Sequence, residues 1–143
     1  MNGKAAELYR SGIYGNTMTS NPKALDIASA VIDSLDSETR NNICERGEEL
    51  KDKLSELAIE LGSDVTKVQG TGLLASCELS DNFKCCGSES TEEYLRINGL
   101  GVIHGGINSL RYTPYFKITS EEVDLIVELT KDAILNGPKA QNI

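Results

Sequence analysis

The sequence has no tryptophan, one histidine, two methionines, two phenylalanines and three prolines in 143 residues. A single His104 and four cysteines, none in a CxxC or Cys/His spacing, leave no ligand set that reads as zinc. The cysteines are Cys44, Cys77, Cys85 and Cys86, and the adjacent pair is too cramped for an easy mutual bridge. Four free thiols in a reducing compartment are therefore expected, the alternative being metal binding by the adjacent pair. Basic residues are also scarce: 14 Lys and Arg against 22 Asp and Glu leave a formal net charge of -8. With no Lys/Arg stripe, nucleic acid is excluded as a main partner, because counterion release needs clustered cations. No apolar run approaches the ~20 residues that a membrane helix needs, and "MNGKAAELYR" has no apolar core of signal-peptide type. The expectation is a cytoplasmic protein with no membrane partner.

What is present is ordinary for a globular chain: 39% hydrophobic and 25% charged residues, enough length for one domain. Such a chain buries ~70% of the surface that its unfolded form exposes, so a core needs no staples. From Pro22, the residues Leu25, Ala28, Val31, Ile32 and Leu35 fall at helical spacing, with Ser20 or Asn21 as cap and Pro22 suited to the first turn. After "DSLDSE", Ser37 can cap a second helix carrying Ile43, Leu50, Leu54, Leu57 and Leu61, closed by Gly62. These apolar positions are expected to be core. "VTKVQGTGLLASCELS" predicts strands and a tight turn, "DNFKCCGSES" a loop, and "TEEYLRING" a short helix capped by Thr91. "GVIHGG" and "NSLRYTPYF" predict two short strands. Thr119 and Glu122 are spaced as a capping box for a last helix that Gly137-Pro138 closes. The order predicts an α+β fold, a small antiparallel or mixed sheet with helices on one face. It divides into an N-terminal segment 1–21, a small domain 22–137 and a frayed tail 138–143.

Three places carry candidate chemistry. "YGNTMTSNP" combines a glycine, hydroxyls and a following helix start, so it is either a well-capped helix start or a loop that holds an anion. Arg111 in "NSLRYTP" can project a bidentate fork toward a carboxylate, or be an exposed strand arginine paired with one of the many acids. His104, between apolar residues and two glycines, reads as structural or solvent-facing. "QGTGLL" is a strand turn rather than a dinucleotide fingerprint, and "ERGEELKDKLSE" reads as a solvated helix face.

Taken in order, "GIYGNTMTSNPKALDIA", "VQGTGLLASCEL" and "LRYTPYFKITSEEVDLIVELTKDAI" resemble the C-terminal part of class III aminotransferases, over about Ala5 to Leu135. The resemblance implies the C-terminal domain of a fold-type I, pyridoxal-phosphate-dependent enzyme. It implies that Gly15, Asn16 and Thr17 belong to the loop that holds the cofactor phosphate of the neighbouring subunit in a homodimer. It implies that Arg111 grips the substrate carboxylate. The partners would be an amino donor and a 2-oxo acid. The family's usual His-Gly-Ser-Thr is Tyr14-Gly15-Asn16-Thr17 here. The lysine that binds the cofactor covalently lies, in the family, some tens of residues before that loop, where this sequence offers only Lys4. A piece of an aminotransferase, inactive alone, is therefore expected, the alternative being a stand-alone ligand-binding or dimerisation module.

Overall fold

The computed structural model describes residues 21–140. The chain divides into two units, Met1–Asp36 and Ser37–Ile143, and each is described by itself. In the first unit, α1 spans Pro22–Asp33. Asn21 caps it, its side chain accepting from Ala24 N at 3.3 Å, and Pro22 occupies the first turn, where its missing N–H costs no hydrogen bond. The periodicity predicted a core face here. The structure corrects that: no residue of α1 is buried, and Leu25, Ile27, Val31 and Ile32 are exposed. Helical spacing fixes which side is apolar; it does not say what covers that side.

The second unit runs α2 (Ser37–Leu61), a single 3-10 turn (Gly62–Asp64), β1 (Val65–Thr71), β2 (Leu74–Leu79), α3 (Thr91–Ile97), β3 (Ile103–Gly105), β4 (Ser109–Tyr112) and α4 (Ser120–Asn136). The four strands form one sheet in the order β1-β2-β4-β3, and every pairing is antiparallel. This is the expected α+β fold, with the antiparallel form of the sheet realised.

Period-2 alternation divides the sheet into a core face and an open face. Ala75, Cys77, Leu79, Leu110 and Tyr112 are buried on the first, together with Leu50 and Leu54 of α2 and Val123, Ile126, Ala133 and Ile134 of α4. The Tyr112 hydroxyl is 3.0 Å from Thr130 Oγ1, so this buried ring's polar tip meets a partner on α4. The opposite face carries Gln69, Thr71, Leu74, Ile103 and Arg111, all exposed. Gly47 lets α2 approach the β1–β2 turn: a Cβ there would overlap the Gly72 carbonyl and stand 2.7 Å from its Cα. Gly72 itself adopts the left-handed φ of +50° that this turn requires.

Three local expectations are revised. Ser90, not Thr91, caps α3, its hydroxyl accepting from Glu93 N at 3.2 Å, and Thr91 is the first helical residue. The segment read as a plain loop buries Phe83 and Cys85 in the core. Its fold is held by Asn108, at φ 44°, whose amide donates to the carbonyls of Leu79, Ser80 and Phe83 at 3.2, 2.9 and 3.0 Å and whose oxygen accepts from Cys85 N at 3.0 Å. On α2, Glu49 is not part of a solvated face. It pairs with Lys53 at 2.7 Å and Arg46 at 3.0 Å and accepts from Ser120 Oγ of α4 at 2.5 Å. Lys53 in turn bonds Asp124, so the charges tie α2 to α4. The capping box of Thr119 and Glu122 is present as read.

Candidate functional site

Arg111 lies on β4 in register with Ser76 of β2 and Ile103 of β3, and Ser76 is in register with Gln69 of β1. One row across the open face therefore reads Gln69, Ser76, Arg111, Ile103, with neighbouring strands about 4.8 Å apart. Gln69, Ser76 and Arg111 of this row border a cavity of about 410 Å³, whose lining also includes Gly70, Thr71 and Leu74. Its polar groups are one guanidinium, two hydroxyls and one amide; no carboxylate is among them.

On a chain with 22 acids to 14 bases, an exposed strand arginine is expected to find an acid. Arg111 does not: among the described residues no ion pair or hydrogen bond involves its guanidinium. Glu78, two residues along β2 from Ser76, accepts instead from Thr66 at 3.0 Å. A planar cation with five N–H donors, on a residue bordering a hollow with hydroxyls and no carboxylate, has the chemistry to take a carboxylate through two parallel hydrogen bonds.

A larger hollow, about 770 Å³, lies between α3 and the chain after α4 and includes Lys84, Glu89, Glu93 and Lys139. Both lysines and Glu93 already have partners there. Lys84 donates to Ser88 O at 2.9 Å, Glu93 accepts from Glu89 N at 2.7 Å, and Lys139 donates to Ile134 O at 2.6 Å while lying 4.0 Å from the Phe83 ring centroid. Arg111, by contrast, has no ion-pair or hydrogen-bond partner among the described residues.

Gly15, Asn16 and Thr17, the predicted phosphate loop, lie outside the described residues. The Arg111 cavity has no lysine in its lining, so the described residues there fit the carboxylate of a substrate and not pyridoxal phosphate, which needs an amine to bond its aldehyde. His104 is exposed, as read. Cys77 and Cys85 are buried, Cys86 is half-buried and Cys44 is exposed, all as free thiols. Among the described residues no His/Cys/Asp/Glu group could hold a metal ion, and no helix is long and apolar enough to cross a membrane. Gln69, Thr71 and Ser76 were not singled out from the sequence. Nothing marks them until strand register sets them beside Arg111.

The fold and this cavity define an α+β domain in which an arginine on the open face of an antiparallel sheet has no partner among the described residues. The family model "Aminotransferase class-III" matches residues 1–134, and the chain belongs to that family. Among curated relatives, it is 30% identical over 121 residues to the acetylornithine aminotransferase of Neisseria meningitidis serogroup B, covering 84% of this chain and 30% of that protein. It is 31% identical over 136 residues to the acetylornithine aminotransferase of Bifidobacterium longum, covering 94% of this chain and 30% of that protein. Among solved structures, the acetylornithine aminotransferase of Elizabethkingia anophelis superposes with a TM-score of 0.65 at 27% identity, over 94% of this chain and 35% of that one. The chain thus spans about a third of the length of the relatives it matches.

Proposed function

We propose that this chain is the C-terminal small-domain portion of a pyridoxal-phosphate-dependent aminotransferase, in which Arg111 holds the carboxylate of the substrate. The whole enzyme would move an amino group from an amine or amino acid to a 2-oxo acid such as 2-oxoglutarate, in the cytoplasm and as a homodimer. The names of the matched relatives support acetylornithine as the donor. Gly15, Asn16 and Thr17 would hold the cofactor phosphate of the neighbouring subunit, through backbone N–H groups and a hydroxyl just ahead of α1. The cofactor, when bound in the whole enzyme, supplies the electron sink for the reaction.

The observation that carries this reading is the absence, among the described residues, of any partner for Arg111 beside a cavity without acids. An arginine kept only for stability would gain by pairing. One kept for a visiting carboxylate must stay available, and its fork fixes the orientation of the bound group so that the other end of the substrate points away from the sheet.

Two experiments test the reading. Calorimetry of the 143-residue chain with 2-oxoglutarate should show saturable binding that Arg111→Gln abolishes. Equal binding by both would remove Arg111 from the site. Incubation with pyridoxal phosphate followed by borohydride should leave no covalent label detectable by mass spectrometry, and no transamination of acetylornithine should be measured. A labelled lysine together with turnover would show that this chain is catalytically sufficient and overturn the proposed inactivity.

A further inference from the structure

We infer that Gly105 is a positioning residue for Arg111: the bare backbone of β3 forms the seat on which the guanidinium rests, and any side chain there would unseat it. The inference rests on the carboxylate reading of Arg111 for its functional meaning, while the seating itself stands on geometry alone.

A Cβ at Gly105 would overlap Nη2 of Arg111 and stand 2.7 Å from Cζ and 2.9 Å from Nε. Three guanidinium atoms therefore lie in the space that every other amino acid fills. Register explains the meeting. Arg111 pairs with Ile103, and Gly105 is two residues further along the same strand on the same face, the diagonal neighbour that a long side chain reaches. A glycine in a strand is entropically costly and often marks a close approach of another group.

Backbone conformation does not call for glycine here. Gly62, Gly72, Gly87, Gly99 and Gly106 have positive φ, and Gly105 does not. Alanine at 105 is therefore compatible with the strand, and β3 is an edge strand among the described residues. The obstruction to a methyl group is the far end of a flexible side chain, so the strand stays and the guanidinium moves. Nor can a hydrogen bond explain the arginine's orientation, since none involves the guanidinium among the described residues. Contact with Gly105 restricts a side chain that otherwise spends rotamer freedom on binding. Seating it in advance fixes the fork in one place, over β3 on the open face, while Arg111 borders the hollow shared with Thr71 and Ser76 on its other side.

The test uses the 143-residue chain, its Gly105→Ala variant, Arg111→Lys, and the double variant. Nuclear Overhauser cross-peaks between Arg111 side-chain protons and Gly105 Hα report the seating without any ligand. They should be present in the unsubstituted chain, and their absence would overturn the inference. Titration with 2-oxoglutarate should give an affinity about tenfold weaker for Gly105→Ala, the loss of one of two charge-assisted hydrogen bonds, with circular dichroism and melting unchanged. In the Arg111→Lys background, the same substitution should change affinity less than about twofold, because the slimmer ammonium has no plane to seat. Equal affinities for the unsubstituted chain and Gly105→Ala would refute the positioning role. Cross-peaks present with no 2-oxoglutarate binding by any form would support the seating and refute the carboxylate reading. Should Gly105→Ala lose its structure, the cross-peaks of the unsubstituted chain decide.

Discussion

Gly47→Ala puts the packing of α2 against the sheet to a quantitative test. In a free helix, alanine is about 1 kcal/mol better than glycine, so propensity alone predicts a more stable protein. Here the added Cβ would overlap the carbonyl of Gly72 and lie 2.7 Å from its Cα. The obstacle is turn backbone, which cannot rotate aside like a side-chain tip. Gly72 is held in its own left-handed conformation and lies against α2: a Cβ on it would sit 3.3 Å from Ile43 Cγ2. Relief requires α2 and the β1–β2 turn to separate, an overpacking cost at the upper end of about 1–3 kcal/mol. The net expectation is a loss of about 2 kcal/mol, or roughly 8 °C in melting temperature for a unit of this size. Urea unfolding should show a lower midpoint with an unchanged slope. A methyl group at Gly101 would meet no heavy atom within 4 Å, and its φ is not positive, so Gly101→Ala is the control, expected within about 0.5 kcal/mol of the parent. A Gly47→Ala protein as stable as the parent, or more so, would refute the close approach. The turn also joins Thr71 to Leu74, both in the lining of the Arg111 cavity, so the same variant should weaken 2-oxoglutarate binding.

Asn108→Asp should be more destabilising at pH 7 than Asn108→Gly, because a carboxylate would face the carbonyls of Leu79, Ser80 and Phe83 while glycine keeps the left-handed backbone; denaturant melts of both, with losses of about 2–4 kcal/mol, check it. Hydrogen bonds from Lys53 and then Ser120 hold the Glu49 carboxyl below its ordinary 4.5. A depressed carboxylate stabilises the fold above its unfolded-state value and loses that contribution as pH falls through the folded value. Melting followed from pH 6 downward should therefore drop more steeply below about pH 4.5 in the parent than in Glu49→Gln. Burial pushes the Cys77 and Cys85 thiols up to about 12. Native protein treated with a maleimide at neutral pH should be modified at Cys44 and Cys86, with Cys77 and Cys85 reacting only after unfolding, as peptide mapping would show.

The elements that were legible in the sequence are those whose signals are local. A capping residue followed by a helical stripe located α1, α2 and α4, and glycines with β-branched runs located the strands. Burial was less legible. The stripe on α1 has the same spacing as the one on α2, yet only the latter meets a core, because the partner surface is not encoded in the period. The loop with Phe83 and Cys85 looked polar, and its ordering depends on an asparagine more than 20 residues away in sequence. Arg111 could be singled out as a donor in search of an anion, but not as a donor without a partner. That fact, like the glycine beneath it and the hydroxyls beside it, exists only once strand register has been set.

The most direct measurement is a crystal structure of the chain with 2-oxoglutarate. The account predicts one carboxylate of the ligand within about 3 Å of two Arg111 nitrogens, on the open face of the sheet, with the guanidinium still over Gly105. Ligand density beside Lys84 and Lys139, with none at Arg111, would contradict it.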